Sequence, residues 1–281
     1  MSSTKEIRSE RATQAWEVMG MLASGRYRSA AGVEVDVRDA IGNAVARTID
    51  YPPADSLGFE PSVGALRSPR LRVVDGTTLA TARELAGDGL DPFILNFASA
   101  KNPGGGFLGG AQAQEESLAR SSALYACIHR SPMYAHHREI SDCLYTSWMI
   151  YSPGVPIVRD DGTGELLDVP WRAAFLTAPA PNARVVLERD PTRTGDIEQA
   201  MEDRIAKALA IAARHGHKRL VLGAWGCGVF GNDPAMVASL FERALAGRFF
   251  GAFEDVVFAV FDRSARRACI RAFEERFHSS T

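Results

Sequence analysis

Glu115 and Glu116 stand side by side in a setting that gives a carboxylate something to do. They follow Gln114, and seven residues (Phe107 to Ala113) separate Gln114 from three consecutive glycines, Gly104-Gly105-Gly106. Ahead of the glycines lies an apolar run, Phe93 to Phe97, long enough for one buried strand. Behind the carboxylates an apolar periodicity (Leu118, Ser122, Tyr125, Ile128) predicts a single helix to His129. Strand, glycine loop and helix in that order predict an anion site, because glycines let backbone N–H groups crowd a ligand at a helix start. Two like charges beside a phosphate cradle repel the phosphate. The pair makes chemical sense if one carboxyl performs acid–base chemistry on a substrate whose phosphates lie in the loop. Adjacent helical residues point about 100° apart, so the two acids do not flank one scissile bond as a separated glycosidase pair does. One working carboxyl with a positioning neighbour is the geometry expected. The helix N-terminus favours its charged form, whereas the neighbouring carboxylate and burial favour the neutral acid, and the sequence leaves that balance open. In the bland alternative, acids in a first turn merely complement the helix dipole.

A second glycine loop has the same context. Gly226-Cys227-Gly228-Val229-Phe230-Gly231 follows the apolar run Arg219–Ala224 and precedes Asp233-Pro234, a cap with proline at the first helical position. Both loops match G-x-G-x-x-G literally. A dinucleotide-binding reading needs an acid about 20 positions on, and past Gly109 the chain reads Ile128-His129-Arg130. Neither loop carries the Lys-Ser/Thr of a nucleotide-triphosphate loop. Open α/β sheets bind ligands beyond strand C-termini, so two loops on neighbouring strands could clasp a diphosphate between them.

The elements that must position these loops follow from periodicity. Ser3 to Glu6 fits a capping box, and Ile7, Ala15, Val18 and Leu22 recur at helical spacing up to Gly25. Gly32–Val37 alternates like a short strand, Val37–Ile49 reads as a second helix, and the Pro-, Gly- and Ser-rich stretch from Tyr51 to Pro69 reads as a long connection. Beyond it, strands are expected at Arg70–Asp75, Phe93–Ala98, Ile157–Arg159, Leu166–Asp168, Trp171–Thr177, Arg219–Ala224 and Val256–Phe261. Helices are expected near Thr78–Ala86 (capped by Thr77), over Asp196–His215, from Pro234 to about Phe250, and over Ser264–Phe277. His129–Ser152 shows no clear period and is expected to be irregular. Alternating strands and helices predict an α/β fold. Residues 1–69 are expected as an N-terminal helical extension packed on a core formed by 70–281.

Composition narrows the classes of function. The net charge of −2 supplies no basic field for bulk nucleic acid. The four cysteines show neither CxxC pairing nor zinc-site spacing and read as reduced thiols. No apolar run approaches membrane-spanning length, and the N-terminus lacks the apolar core of a signal peptide. A soluble, cytoplasmic protein without membrane attachment is expected. Four further features are assigned no side-chain chemistry. His136-His137 is expected as an exposed loop pair, and Trp148, Met149, Trp171 and Phe175 as core. Arg266, Arg267 and Arg271 are expected on a solvated face of the last helix, and Cys227 as part of a backbone phosphate contact rather than a nucleophile.

With both loops on the page, the chain resembles the poly(ADP-ribose) glycohydrolases of the bacterial type. Gly104-Gly105-Gly106, seven residues and Gln114-Glu115-Glu116 look like that family's signature, and Gly226 to Asn232 looks like its diphosphate-binding loop. The resemblance implies a macrodomain-like fold, three layers with a mixed sheet flanked by helices. It implies hydrolysis of ribose–ribose O-glycosidic bonds from chain ends, releasing ADP-ribose, by a monomer that needs neither cofactor nor metal. Glu116 would be the acid–base and Glu115 would fix the terminal ribose through its hydroxyls. Asn102, Gly104, Gly105, Gly106 and Gln114 would belong to the substrate site. Gly226, Cys227, Gly228, Val229, Phe230 and Gly231 would wrap the diphosphate, with Phe230 orienting the ribose. Asn96 and Phe261, at strand ends, are further candidates: Phe261 either stacks on adenine or packs in the core. Two other activities fit the same ligand, a non-catalytic ADP-ribose reader and a hydrolase of single ADP-ribose units or ADP-ribose esters.

Overall fold

The computed structural model describes residues 3–55, 57–58, 68–86 and 91–277. Most of the connection between Tyr51 and Pro69 therefore lies outside the described residues. The chain opens with α1 (Thr4–Ser24), whose Ser3 and Glu6 form the expected capping box and whose end is a left-handed Gly25. A two-stranded ribbon, β1 (Arg26–Arg28) with β2 (Glu34–Asp36), leads to α2 (Arg38–Ala46) and β3 (Ile49–Tyr51). Then come β4 (Arg70–Val74), α3 (Thr78–Leu85), β5 (Phe93–Phe97), a short 3-10 turn (Phe107–Gly109), α4 (Gln114–Ser121), α5 (Leu124–Ile128) and α6 (Pro132–Glu139). A long hairpin of β6 (Met149–Arg159) and β7 (Leu166–Ala178) follows, then α7 (Ala183–Arg189), α8 (Thr194–Arg214), β8 (Arg219–Leu222), α9 (Pro234–Ala246), β9 (Asp255–Ala259) and α10 (Ala268–Phe277).

Among the described residues seven strands form one mixed sheet in the order β3-β6-β7-β5-β8-β9-β4. Only β6 runs against the rest, pairing antiparallel with both β3 and β7. β7, β5, β8, β9 and β4 are mutually parallel. The central strands are buried on both faces, and alternate side chains feed two separate cores. Phe93, Leu95, Leu176, Leu222 and Phe258 meet α8, α9 and α10 on one side. Ile94, Phe175, Val221 and Val257 meet α2, α3, α5 and α6 on the other. The expected three layers are thus present.

Several elements differ from their sequence reading, each for a local reason. The helix after the carboxylates is not continuous: Ser122 is extended (φ −146°, ψ 174°), bridges to Ile157, and separates α4 from α5. Its hydroxyl donates to Leu118 O at 2.7 Å and accepts Leu124 N–H at 3.2 Å, so the side chain takes over bonds a helix would make. α2 stops at Ala46, because the chain leaves it to pair β3 with β6 at the sheet edge. Leu166–Asp168 and Trp171–Thr177 are one strand, since Pro170 falls in the register shift between the Ile157–Trp171 and Arg159–Leu166 pairs, where a bulge accommodates it. The stretch 129–152 is ordered rather than irregular: Ser131 caps α6 with Pro132 at its start, and β6 begins at Met149. α9 ends at Ala246, α10 starts at Ala268, and α7 carries too short an apolar pattern to be recognised from sequence.

α1 is the buttress of the glycine loop. Arg8 Nε donates to Gly109 O at 2.9 Å, and Ala15 packs with Phe107 and Ala119. Gly110 lies under the helix with φ +71°, where a Cβ would collide with the Arg8 carbonyl. Gly110→Ala should therefore lower stability by roughly 2 kcal/mol or more, read as a shift in urea midpoint at unchanged slope.

Candidate active site

α4 is pinned to the sheet by its first residue. Gln114 Oε1 accepts Phe97 N–H at 2.9 Å, while its Nε2 donates to Leu95 O at 2.8 Å and Thr78 Oγ1 at 3.3 Å. The amide of Gln114 is committed to β5 and α3, so it positions the next two residues and has little capacity left for a ligand.

Those two residues take the backbone of the first glycine loop. Glu115, 4% exposed, accepts Ser99 N–H at 2.7 Å on Oε2 and Gly104 N–H at 3.2 Å on Oε1. Glu116, half-buried, accepts Gly106 N–H at 3.0 Å on Oε1. Gly105 N–H goes to Asn102 O at 3.0 Å, and Asn102 N–H goes to Ser99 Oγ at 3.1 Å. The N–H groups of all three glycines are thus consumed inside the protein, those of Gly104 and Gly106 by its own two carboxyl groups and that of Gly105 by a backbone carbonyl. This corrects the expectation of a phosphate cradle at these three donors. The glycines are still required: Gly104 and Gly105 sit at φ +71° and +60°, and a Cβ on Gly105 would strike the Glu116 carboxylate. Asn96 is fully buried behind the pair, donating to Thr177 Oγ1 at 3.1 Å.

The environment separates two chemically identical side chains. Burial is the main force raising the Glu115 pKa from 4.5 to about 8; the Glu116 charge adds to it, while the Ser99 and Gly104 N–H groups and the Asn96 amide oppose it. Arg120, one turn beyond Glu116, turns back to donate to Ala111 O at 2.7 Å and to Gln112 Oε1, bracing the approach to α4. Arg159 ties Arg120 O to Glu17 of α1. Neither arginine was recognisable as part of the site from sequence; an Arg four residues after Glu116 was the only signal.

The second loop keeps its donors. β8 is the parallel neighbour of β5, so both loops leave the same edge of the sheet. Gly226 (φ +75°) and Gly231 (φ +70°) close the turn, and a Cβ on Gly226 would come within 2.5 Å of the Asn232 amide. Buried Asn232 fastens the turn from inside, donating to Pro181 O at 2.8 Å and Gly226 O at 3.1 Å. Cys227 N–H is spent on Ala224 O at 3.1 Å, but the N–H groups of Gly228, Val229 and Phe230 donate to no other described residue. Three consecutive unused donors form a nest for an anion. Burial pushes the Cys227 thiol well above its ordinary range, which suits no nucleophile. Phe230 is half-buried and Val229 exposed.

The remaining candidates sort by burial. Phe261, just past β9 and on the same edge, is 53% exposed with the Arg263 guanidinium 4.2 Å over its ring, which excludes core packing. Met149 and Phe175 are core, whereas Trp148 and Trp171 are partly buried. Arg266, Arg267 and Arg271 are exposed, but the first two precede α10, and Arg267 pairs with Asp75 at 2.9 Å. His136 and His137 are not an exposed loop pair: both lie on α6. His137 is fully buried against Thr146 Oγ1 at 2.7 Å, with a pKa lowered to about 4 chiefly by burial. Among the described residues no three of His, Cys, Asp and Glu come together to hold a metal ion.

A buried carboxyl that keeps its proton in the fold links stability to pH. With its pKa raised from 4.5 to about 8, the Glu115 contribution is fully present below 4.5 and is lost as pH rises through about 8. Melting temperature should therefore decline across that window, and Glu115→Gln, which cannot ionise, should flatten the decline.

A family model, microbial-type PARG, catalytic domain, matches residues 15–160. No curated protein matches the chain. The structure of poly(ADP-ribose) glycohydrolase from Thermomonospora curvata is 47% identical, covering 96% of this chain and 100% of that one at a TM-score of 0.90. The same enzyme bound to the inhibitor ADP-HPD is 48% identical over the same shares, at 0.88. The Deinococcus radiodurans enzyme in complex with ADP-ribose is 40% identical, covering 85% of this chain and 97% of that one at 0.75. A half-buried Glu116 held by the first glycine loop, beside a second loop with unused donors, thus sits on a fold shared with these enzymes, and the chain belongs to the microbial-type poly(ADP-ribose) glycohydrolase family.

Proposed function

We propose that the protein hydrolyses the ribose–ribose bond of poly(ADP-ribose), releasing ADP-ribose from chain ends, with Glu116 as acid and base. The observation that carries this reading is the division of labour between adjacent loops. One spends its N–H groups on Glu115 and Glu116, and the other leaves those of Gly228, Val229 and Phe230 for a diphosphate. Seated there, the diphosphate places its distal ribose toward the end of β5. Glu116 gives its proton to the 2′ oxygen of the departing chain as the bond to C1″ breaks. The oxocarbenium-like ribose is stabilised by the resulting carboxylate and the adjacent diphosphate. Water then adds to C1″ and returns a proton to Glu116, so the residue ends as it began.

Glu115, neutral at pH 7, acts as a fixed hydrogen-bonding partner for the ribose hydroxyls and holds Ser99 and Gly104 in place. Asn102 and the Cα faces of Gly104 to Gly106 wall the ribose, Phe230 orients it, and exposed Phe261 stacks on the adenine. The protein works as a cytoplasmic monomer on this polymer and not on bulk nucleic acid.

Purified protein incubated with radiolabelled polymer should release free ADP-ribose, and mono-ADP-ribosylated protein should remain unchanged. Release from the second substrate alone would instead favour a single-unit hydrolase. Glu116→Gln should lower kcat by about 10²–10⁴-fold while ADP-ribose still binds by calorimetry; undiminished turnover would remove Glu116 from the reaction. Gly105→Ala should lower kcat by about 10²-fold, because its Cβ displaces the same carboxylate without touching the second loop.

A further inference from the structure

Tyr145 is one of two non-glycine residues with positive φ among the described residues, at +58°. A bulky aromatic side chain is unfavourable in that conformation and persists only where its surroundings over-determine it. The surroundings here are four cationic side chains converging on residues 140–146. Lys101 Nζ donates to Ile140 O at 3.3 Å, and Arg189 to Ser141 O at 2.9 Å. Arg193 pairs with Asp142 at 3.0 Å, and buried Arg204 donates to Leu144 O and, at 3.2 Å, to Thr146 O. The segment spans the two glycine loops. Lys101 adjoins Asn102 in the first; Asn182 N–H donates to Cys143 O at 2.9 Å, and Arg184 N–H just beyond donates to Phe230 O at 2.9 Å in the second.

The fastened Tyr145 ring meets two others, the first being buried His137 at 5.7 Å between centroids and 64° between planes. The Tyr145 ring meets the Phe230 ring at 6.3 Å between centroids and 46° between planes, and no other aromatic ring among the described residues meets Phe230. Phe230 itself touches the core only in part. A loop built on glycines and left-handed turns does not fix the direction of its aromatic residue unaided.

We propose that Tyr145 is a positioning residue for the glycohydrolase reaction. The clamped segment presses its ring against Phe230 and thereby sets the attitude of the ribose over Glu116. This rests on the function proposed above. It predicts an effect on turnover rather than affinity, because the donors that grip the diphosphate are backbone groups of Gly228 to Phe230 and stay in place. A ribose misplaced by a fraction of an ångström to about 1 Å loses rate, not binding.

The test compares Tyr145→Phe with Tyr145→Asn, since asparagine accepts the left-handed backbone without supplying a ring. The Phe variant should keep at least half of wild-type kcat. The Asn variant should lose about tenfold or more in kcat, with KM and the ADP-ribose dissociation constant within about threefold of wild type. In a Phe230→Leu background the Asn substitution should add little, the non-additivity expected of residues acting through one contact. An Asn variant with unaltered kcat, a loss confined to KM, an equal loss in the Phe variant, or full additivity with Phe230→Leu would each overturn the brace. Should the Asn variant not fold, Tyr145→Leu carries the same comparison. Wild-type protein that releases nothing from polymer overturns the glycohydrolase reading and the brace with it. Active wild type beside an undiminished Asn variant overturns the brace alone.

Discussion

The site depends on carboxylates accepting the N–H groups of their own glycine loop. Glu115 joins Ser99 to Gly104, and Glu116 takes Gly106, so the strand end, the loop and the first turn of α4 become one hydrogen-bonded unit. A backbone donor left unpaired in this half-buried setting would cost about 1–3 kcal/mol, which makes the arrangement over-determined. Gly105 is the counterpart of that constraint: only a residue with no side chain leaves room for the Glu116 carboxylate against the loop.

The same bonds differentiate the two acids. Both lie in the first turn of α4, both accept backbone N–H groups, and they are neighbours in sequence. Glu115 points into the protein and retains its proton to about pH 8 through loss of water, whereas Glu116 stays half-exposed at the loop. Neighbouring carboxyls are thus set apart by their surroundings alone. This needs no third ionisable residue, because the direction of each side chain around the helix decides its hydration.

Supporting structure reaches the site from three directions. Gln114 fixes α4 to β5, and α1 braces the loop through Arg8 and, via Glu17 and Arg159, the carbonyl of Arg120. The cation-clamped segment 140–146 lies between the first loop and the second. Adjacency of parallel β5 and β8 is what brings the loops together at all, since parallel neighbours release their following loops at the same edge.

The amino-acid sequence by itself determined the local features. The capping box at Ser3, the Thr77 and Asp233 caps, the alternation of strands with helices, and the two glycine loops with their carboxylates are encoded within a few residues and stand where periodicity and spacing put them. Short-range signals fail where a long-range partner competes. Ser122 breaks an amphipathic helix to bridge β6, Ile49 leaves a helix to join the sheet edge, and His137 exchanges exposure for burial on α6. Only the tertiary structure decided which loop spends its N–H donors within the protein, because a backbone N–H is indistinguishable in sequence whether it is free or taken. That is settled by side chains 10 or so positions away, Glu115 and Glu116 folding back onto Gly104 and Gly106, and by no such side chain among the described residues reaching Gly228.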